Sequence, residues 1–195
     1  MSRRQEGPVL SPPVGDRDHT QGPADAPVTL VEYGDYECPH CGRAYPIVRA
    51  VQNHFGQRLR FVFRNFPISE AHPHALFAAA AAEAAGDQGK FWEMHDLLFE
   101  HQDRLGALDL VGYASQLGIQ ADGFLEVIRS RDMADRVRSD FMSGVRSGVN
   151  GTPTFFLNGR RYEGPWDYQD LVDAIEGAMG RPHQSRVDTR ASRSQ

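Results

Sequence analysis

The segment VTLVEYGDYECPHC, residues 28–41, decides the fold of this chain. Its first six residues are apolar on both faces except for Glu32, which is the pattern of a central strand buried on both sides. A glycine and an aspartate end that strand, and Pro39 occupies the first turn of the helix that follows. The segment therefore predicts a buried strand that leads directly into a helix, with Cys38 and Cys41 at the helix start.

A block of helices is predicted in the middle of the chain. From about residue 70 to 148 the apolar residues recur at helical spacing, and residues 75–85 are a run of strong helix formers. Within this block Asp122 is predicted to cap a short helix that ends at Ile128. No strand pattern interrupts the block, which therefore indicates a helical insertion.

Strand patterns flank the helical block on both sides. Residues 59–66 have the pattern of a second strand, and residues 154–157 and 160–163 flank Asn158-Gly159, the pair that a two-residue hairpin turn prefers. An amphipathic helix follows and ends before Pro182. The order predicts an α/β fold, in which a small sheet carries helices on its faces and the helical block is inserted between its two halves.

Charge and composition limit the possible partners. The 195 residues carry a formal charge of -5, and residues 181–195, with four arginines and one aspartate, account for +3. The rest of the chain is acidic, which argues against nucleic acid as a partner, because phosphate binding needs a clustered basic face. No apolar run approaches the length of a membrane span, so no membrane partner is expected.

The two ends of the chain are polar. Residues 1–24 are rich in proline and glycine and predict an extended or disordered leader, and residues 181–195 predict a disordered tail. A partner-binding or RNA-binding arm is the alternative for the tail. The leader lacks the seven or more consecutive apolar residues of a secretory signal, so we expect a cytoplasmic protein.

The chain has two cysteines, Cys38 and Cys41. In a reducing compartment such a pair is catalytic or metal-binding more often than structural. The unpaired N–H groups and the dipole of the helix favour the first cysteine as an exposed thiolate and leave Cys41 as the buried thiol, and His40 is expected to add to this effect. Asp35 and Glu37 oppose it by charge repulsion, but they are expected to be solvated, so the dipole should prevail.

A zinc site is the alternative use of the pair. Zinc takes four ligands, and the chain offers no second pair of cysteines. Four histidines remain as conceivable ligands: His72, His74, His95 and His101. One of them, His95, lies on the apolar face of its predicted helix, and the others are expected to cap helices or face water. Redox chemistry is therefore the stronger prediction, with no bound metal.

A second signal is Thr152-Pro153, directly before the strand at residues 154–157. Proline cannot donate to a sheet ladder, so at a strand start it indicates an edge, a turn or a cis peptide bond. Taken alone, it is an ordinary way to begin a strand.

Together, the strand leading to Cys-Pro-His-Cys and the later Gly-Thr-Pro-Thr-Phe-Phe resemble the DsbA-like branch of the thioredoxin superfamily. The resemblance runs from about residue 25 to residue 179. It implies a thioredoxin-like domain made of residues 25–69 and 149–180, with residues 70–148 as the family's inserted helical domain. It also implies that Pro153 is a cis-proline facing the two sulfurs and that Thr152 offers its backbone to an extended substrate. With them, Pro39 is a candidate substrate-binding residue.

The resemblance also implies a role for Glu32 and an overall reaction. An acidic residue at this place lies beneath the active site, where a buried carboxyl can exchange a proton with Cys41. The alternative is a carboxylate that reaches solvent at the strand end. The expected activity is thiol–disulfide exchange with protein or peptide substrates, needing no cofactor, because the electrons reside in the sulfurs.

The direction of exchange is predicted from the compartment. In a reducing cytosol the pair would rest mostly as a dithiol, so reduction or isomerisation of substrate disulfides is expected, with a thioredoxin- or glutathione-type redox partner. Two other functions stay open. The pair could serve a redox- or metal-responsive sensor, or the chain could be a peptide-binding module for which the cysteines are secondary.

Overall fold

The computed structural model describes residues 7–120 and 123–180. In this part of the chain, a five-stranded sheet has the strand order β1-β3-β2-β4-β5. Asp122 and the tail at 181–195, for which predictions were made, lie outside the described residues. The elements are β1 (His19–Gln21), β2 (Val28–Gly34), α1 (Pro39–Phe55), β3 (Leu59–Asn65), α2 (Ala75–Gly86), α3 (Phe91–Glu100), α4 (Ala107–Gln116), α5 (Phe124–Ile128), α6 (Arg131–Arg146), β4 (Thr154–Leu157), β5 (Arg160–Tyr162) and α7 (Tyr168–Met179).

Strand β2 is the centre of the sheet, as its apolar sequence predicts. It pairs in parallel with β3 and antiparallel with β4, so Glu32 lies between Phe63 and Phe155. Alternate residues of β2 enter two separate clusters of buried side chains. Val28 and Leu30 belong to the larger cluster, on the face that Glu32 shares.

The helices α2 to α6 lie between β3 and β4 in the chain, as expected for an insertion. The alanine-rich α2 is buried along most of its length and shares the larger apolar cluster with α1 and the sheet. On the other face, α6 approaches the sheet closely at Gly144, where an added Cβ would lie 2.6 Å from the ring of Phe66. No helix in the described ranges is both long enough and apolar enough to cross a membrane.

The predicted leader is extended, but it is not disordered in its described part. Residues 19–21 form β1, which pairs antiparallel with β3. Val9 forms a bridge to Arg160, and Leu10 is buried in the smaller apolar cluster. The sequence did not predict these contacts, because one buried leucine and three strand residues in a polar segment leave no periodic pattern.

Ion pairs hold the leader to the sheet and hold α6 to α2. Arg64 in β3 donates to both carboxylate oxygens of Asp18, at 2.7 and 3.0 Å, and to the hydroxyl of Tyr33 at 2.9 Å. Arg136 in α6 contacts Asp140 at 2.8 Å and Glu83 at 3.1 Å. These buried charges have partners of opposite sign, which is the condition for burying them without a large penalty.

The hairpin and the short helix α5 can be compared with their local predictions. The hairpin turn at Asn158 and Gly159 has positive φ at both residues, 46° and 77°, as its sequence predicts. Its second strand, predicted to reach residue 163, ends at Tyr162. The short helix α5 begins after Gly123, whose φ of 81° suits glycine, and ends at Ile128 as predicted.

Candidate active site

The two cysteines lie at the start of α1, at the end of the central strand. Cys38 is the N-cap residue, Pro39 opens the helix, and Cys41 lies within the first turn. Proline suits this position because the first N–H groups of a helix have no intrahelical partner. Both cysteines are free thiols. The strand–turn–helix placement predicted for the CxxC sequence is therefore what the fold contains.

Cys38 has a lowered pKa and is buried. A hydrogen bond from the Cys41 thiol is the largest influence that lowers the pKa of Cys38 to about 5. Partial burial opposes the shift, and the Thr152 hydroxyl and the backbone N–H groups of His40 and Cys41 reinforce it. We expected an exposed thiol, and this is wrong, because Cys38 is only 4 % exposed. The Thr152 segment, whose carbonyl accepts a hydrogen bond from the Cys38 thiol, covers the sulfur.

Cys41 is the buried partner. It is fully buried in the larger apolar cluster, and the backbone N–H of Asp35 donates to its sulfur at 3.4 Å. Burial raises the pKa of Cys41 well above its usual value, and the charges of Glu32 and of Cys38 add to this effect. The pair is therefore strongly unequal: one sulfur favours the thiolate and the other favours the thiol.

The segment before β4 lies over Cys38. The Thr152-Pro153 peptide bond is cis, as the resemblance implies. The Cys38 thiol donates to the Thr152 carbonyl at 3.5 Å. The Thr152 Oγ1 atom is buried without a hydrogen-bond partner, so its proton is available to the Cys38 sulfur when that sulfur ionises. Pro153 and Trp166 line a small open cleft of about 150 Å³ beside this segment.

Glu32 is buried beneath the two sulfurs and is 3 % exposed. Burial, followed by the nearby Cys38 charge, raises the pKa of Glu32 to about 8. The carboxyl also lines a polar cleft of about 180 Å³, together with Gln52 and His95. Burial in α3 lowers the pKa of His95 to about 3, so that histidine is neutral at this site. Glu32 therefore faces the cysteines on one side and a route to water on the other.

His40 is exposed, and its ring makes a different contact from the one expected. Arg43 donates to the Nδ1 atom of His40 at 2.8 Å. The influence of His40 on Cys38 comes from its backbone N–H, whereas the sequence prediction relied on the imidazole. Pro39, the third candidate for contact with substrate beside Thr152 and Pro153, is also exposed.

Two carboxylates that we expected to be solvated are not. Asp35 is 1 % exposed and accepts hydrogen bonds from the N–H groups of Glu37 and Ile68, both at 2.8 Å, and from His72 Nδ1 at 2.7 Å. Glu37 binds His74, the next histidine along the chain. The sequence reasoning missed these pairs. Their signal was a pair of histidines after the second strand, which we considered as metal ligands, helix caps or solvent-facing side chains but not as partners of these carboxylates.

In the described ranges, no group of three or more histidine, cysteine, aspartate or glutamate side chains is placed to hold a metal ion. The four histidines considered as zinc ligands have other contacts. His72 and His74 pair with carboxylates, His95 bonds the Tyr36 hydroxyl, and His101 bonds the carbonyl of Leu97.

Comparison with known proteins agrees with this geometry. The profile of the thioredoxin family matches residues 15–177. The chain is similar in structure to a thioredoxin-like oxidoreductase from Silicibacter pomeroyi, with 26 % identity, a TM-score of 0.76 and coverage of 86 % of this chain and 95 % of that one. It is similar to oxidised BdbD from Bacillus subtilis, with 26 % identity, a TM-score of 0.75 and coverage of 89 % and 96 %. The α-DsbA1 protein of Wolbachia pipientis shares the fold at 19 % identity and a TM-score of 0.73, with coverage of 86 % and 93 %.

Curated relatives are longer proteins. The chain is 47 % identical over 186 residues to Na(+)/H(+) antiporter NhaA 1 of Salinispora arenicola, covering 93 % of this chain and 28 % of the relative. It is 48 % identical over 171 residues to NhaA 3 of Salinispora tropica, covering 88 % and 26 %. The chain thus spans little more than a quarter of these relatives. By its profile match this chain belongs to the thioredoxin family, and its fold is DsbA-like, with the helical insertion.

Proposed function

We propose that this chain catalyses thiol–disulfide exchange on protein or peptide substrates, with Cys38 as the nucleophile. The observation that supports this most is the inequality of the two sulfurs. Cys38, with a pKa near 5, is a thiolate at neutral pH, whereas burial keeps Cys41 protonated. Only the thiolate attacks a disulfide, so the geometry selects one sulfur for the first step.

The first step is attack by the Cys38 thiolate on a substrate sulfur. The substrate S–S bond breaks, a Cys38–substrate disulfide forms, and the other substrate sulfur leaves as a thiolate that takes a proton from water. The cleft lined by Pro153 and Trp166 is the proposed path of the substrate, with the backbone of Thr152 as a short strand partner and Pro39 at the rim.

The second step requires Cys41 to lose its proton. In the mixed disulfide the Cys38 thiolate is gone, and its charge no longer helps to raise the pKa of Glu32. Glu32 then ionises more readily and can take the proton of Cys41, which attacks Cys38 and releases the reduced substrate. The products are a Cys38–Cys41 disulfide and a substrate dithiol. The polar cleft behind Glu32 provides a way for the proton to leave.

We propose reduction or isomerisation in a reducing cytosol as the net direction. A stabilised Cys38 thiolate favours the dithiol over the disulfide, so the protein would rest with a free nucleophile. Both cysteines of the chain are in this site, and none is left for a structural disulfide. A glutathione- or thioredoxin-type partner would return the disulfide form to the dithiol.

Covalent trapping tests the assignment of the two cysteines. Cys41→Ser keeps the attacking thiolate and removes the thiol that resolves the mixed disulfide, which an oriented neighbour does far better than dilute external thiols. On non-reducing gels of cytosol containing Cys41→Ser, we expect adducts that disappear on addition of reductant. Cys38→Ser is the matched control and should trap few.

Equal trapping by both variants, or none by either, contradicts the proposed mechanism. The unaltered protein should also reduce insulin disulfides in the presence of glutathione, and it should restore activity to a substrate whose disulfides have been scrambled. A protein that traps partners but fails both assays would contradict only the proposed direction.

A further inference from the structure

The segment between β3 and α2 is held to the active-site loop by two carboxylate–histidine pairs. His72 Nδ1 lies 2.7 Å from Asp35 Oδ2, and His74 Nδ1 lies 2.8 Å from Glu37 Oε1. The N–H of His74 also donates to Glu37 at 2.6 Å. Both carboxylates lie within three residues of Cys38, so the pairs bring two imidazoles toward the nucleophile.

The two pairs differ in burial. Asp35 has no exposed side-chain surface and His72 is 17 % exposed, whereas the Glu37 and His74 side chains are 19 % and 52 % exposed. Water therefore screens the second pair more strongly than the first. Asp35 also has backbone contacts with both cysteines: its carbonyl accepts from the N–H of Cys38 at 3.1 Å, and its N–H donates to Cys41.

The charges facing His72 are all negative. They belong to Asp35, Glu37 and the Cys38 thiolate, while its own segment also carries Glu70 and His74. Burial opposes protonation of His72, but the hydrogen bond and charge of Asp35 outweigh it and raise the pKa of His72, and the Cys38 thiolate raises it further. Such coupling is reciprocal, because a thiolate that favours the imidazolium is favoured by it to the same degree.

We propose that His72, held by Asp35, is a positioning residue that stabilises the Cys38 thiolate as an imidazolium and so favours the dithiol over the disulfide. This inference rests on the proposed function and specifies how the site is regulated. When two glutathione thiols reduce the Cys38–Cys41 bond, they supply two electrons and become oxidised glutathione. Of the two protons that the glutathione thiols release, Cys41 takes one, while Cys38 remains a thiolate; His72 takes up a fraction of the second proton, and the rest goes to water.

The direct test is an NMR titration of the His72 ring in the unaltered chain, in both redox states. The disulfide form is made with diamide, so this readout does not depend on exchange activity. Because the thiolate exists only in the dithiol form, the pKa of His72 should be higher in that form than in the disulfide form. Equal values in the two states would overturn the proposal, whatever the trapping experiment shows.

A variant series adds a second readout. At pH 6, His72→Gln should lower the ratio of dithiol to disulfide at equilibrium with glutathione by about three- to fivefold, which corresponds to half to one unit in the pKa of Cys38. At a pH well above the pKa that the NMR titration gives for His72, where the imidazole of the unaltered chain is neutral, the difference should fall below about twofold. His74→Gln is the matched control, with a change below about twofold at both pH values.

His72→Lys should keep most of the ratio at both pH values, because it retains the positive charge. Equal effects of His72→Gln and His74→Gln, or an effect of His72→Gln that is independent of pH, would overturn the proposal and indicate a structural role for the pair. A failure of the Cys41→Ser trap with a redox-dependent His72 titration would instead contradict only the proposed function.

Discussion

Polar groups are buried on both faces of the sheet. Some of them are paired with groups of opposite charge, and others are not. On the leader side, Arg64 and Arg136 meet carboxylates at hydrogen-bond distance. On the cysteine side, Glu32 and Cys41 are buried without a cation in contact, and burial raises the pKa of each. Paired charges hold segments of the chain together, whereas the unpaired acids remain protonated and can exchange a proton with a neighbouring group.

Removal of one partner on the paired side should have the largest effect. Arg64→Ala would leave Asp18 buried without a cation and the Tyr33 hydroxyl without its donor, so we expect a loss of about 5 kcal/mol in the free energy of unfolding. Urea denaturation measures it. Lys90→Ala, which breaks an exposed pair with Glu93, is the control and should change stability by less than about 1 kcal/mol. Similar losses in the two variants would refute the contrast.

On the unpaired side, the effect should appear as a dependence of stability on pH. Folding raises the pKa of Glu32 from its usual 4.5 to about 8, so the folded state holds a proton that the unfolded state has lost. This contribution is fully present below pH 4.5 and is lost as the pH rises toward 8. Between pH 5 and pH 8, dithiol protein should therefore lose about 3 to 4 kcal/mol more stability than Glu32→Gln.

The same pair of proteins also tests the proton transfer. Glu32→Gln cannot accept the proton of Cys41, so release from the mixed disulfide should slow by about tenfold or more, while the first attack changes little. Stopped-flow single turnovers separate the two steps. Parallel stability curves for the two proteins would contradict the raised pKa of Glu32. Equal release rates would contradict its role in taking the proton of Cys41.

The smallest effect should come from the single hydroxyl over Cys38. Thr152→Val keeps the shape of the side chain and removes the proton available to the thiolate, so the pKa of Cys38 should rise by about half a unit to one unit. Thiolate absorbance against pH gives this value. Thr154→Val makes the same change two residues away, where the hydroxyl donates to the Gly151 carbonyl, and should leave the thiolate titration unmoved.

The fold was largely predictable because its signals are local. The apolar run of β2, the turn pair Asn158-Gly159 and the alanine-rich α2 each belong to one element, and the resemblance supplied their arrangement. The order of strands and helices was confirmed. What local patterns could not provide was β1, since three half-buried residues carry no periodicity.

The site was predictable in its chemistry and less so in its surroundings. The first cysteine as the acidic thiol followed from motif and position, whereas the cis state of the proline after Thr152 was implied by the resemblance. Burial of Cys38 and Asp35 did not, because both depend on segments more than thirty residues away in the chain. Charge counted along the sequence treated Asp35 as repulsive. In the fold Asp35 is paired with His72, the contact on which the proposed role of His72 rests.

The course of the N-terminal segment has a consequence for the behaviour of the protein in solution. Residues 8–10 lie along β5 at one edge of the sheet, and residues 19–21 form the strand at the other edge. One short segment thus supplies the outermost pairing at both edges of the sheet, and because each added stretch is only about three residues long, the row of unpaired backbone groups that it offers to a foreign strand is short. Short edges limit aggregation with other extended chains, and under the proposed function the cleft beside Pro153 would be the place where an extended substrate adds to the sheet.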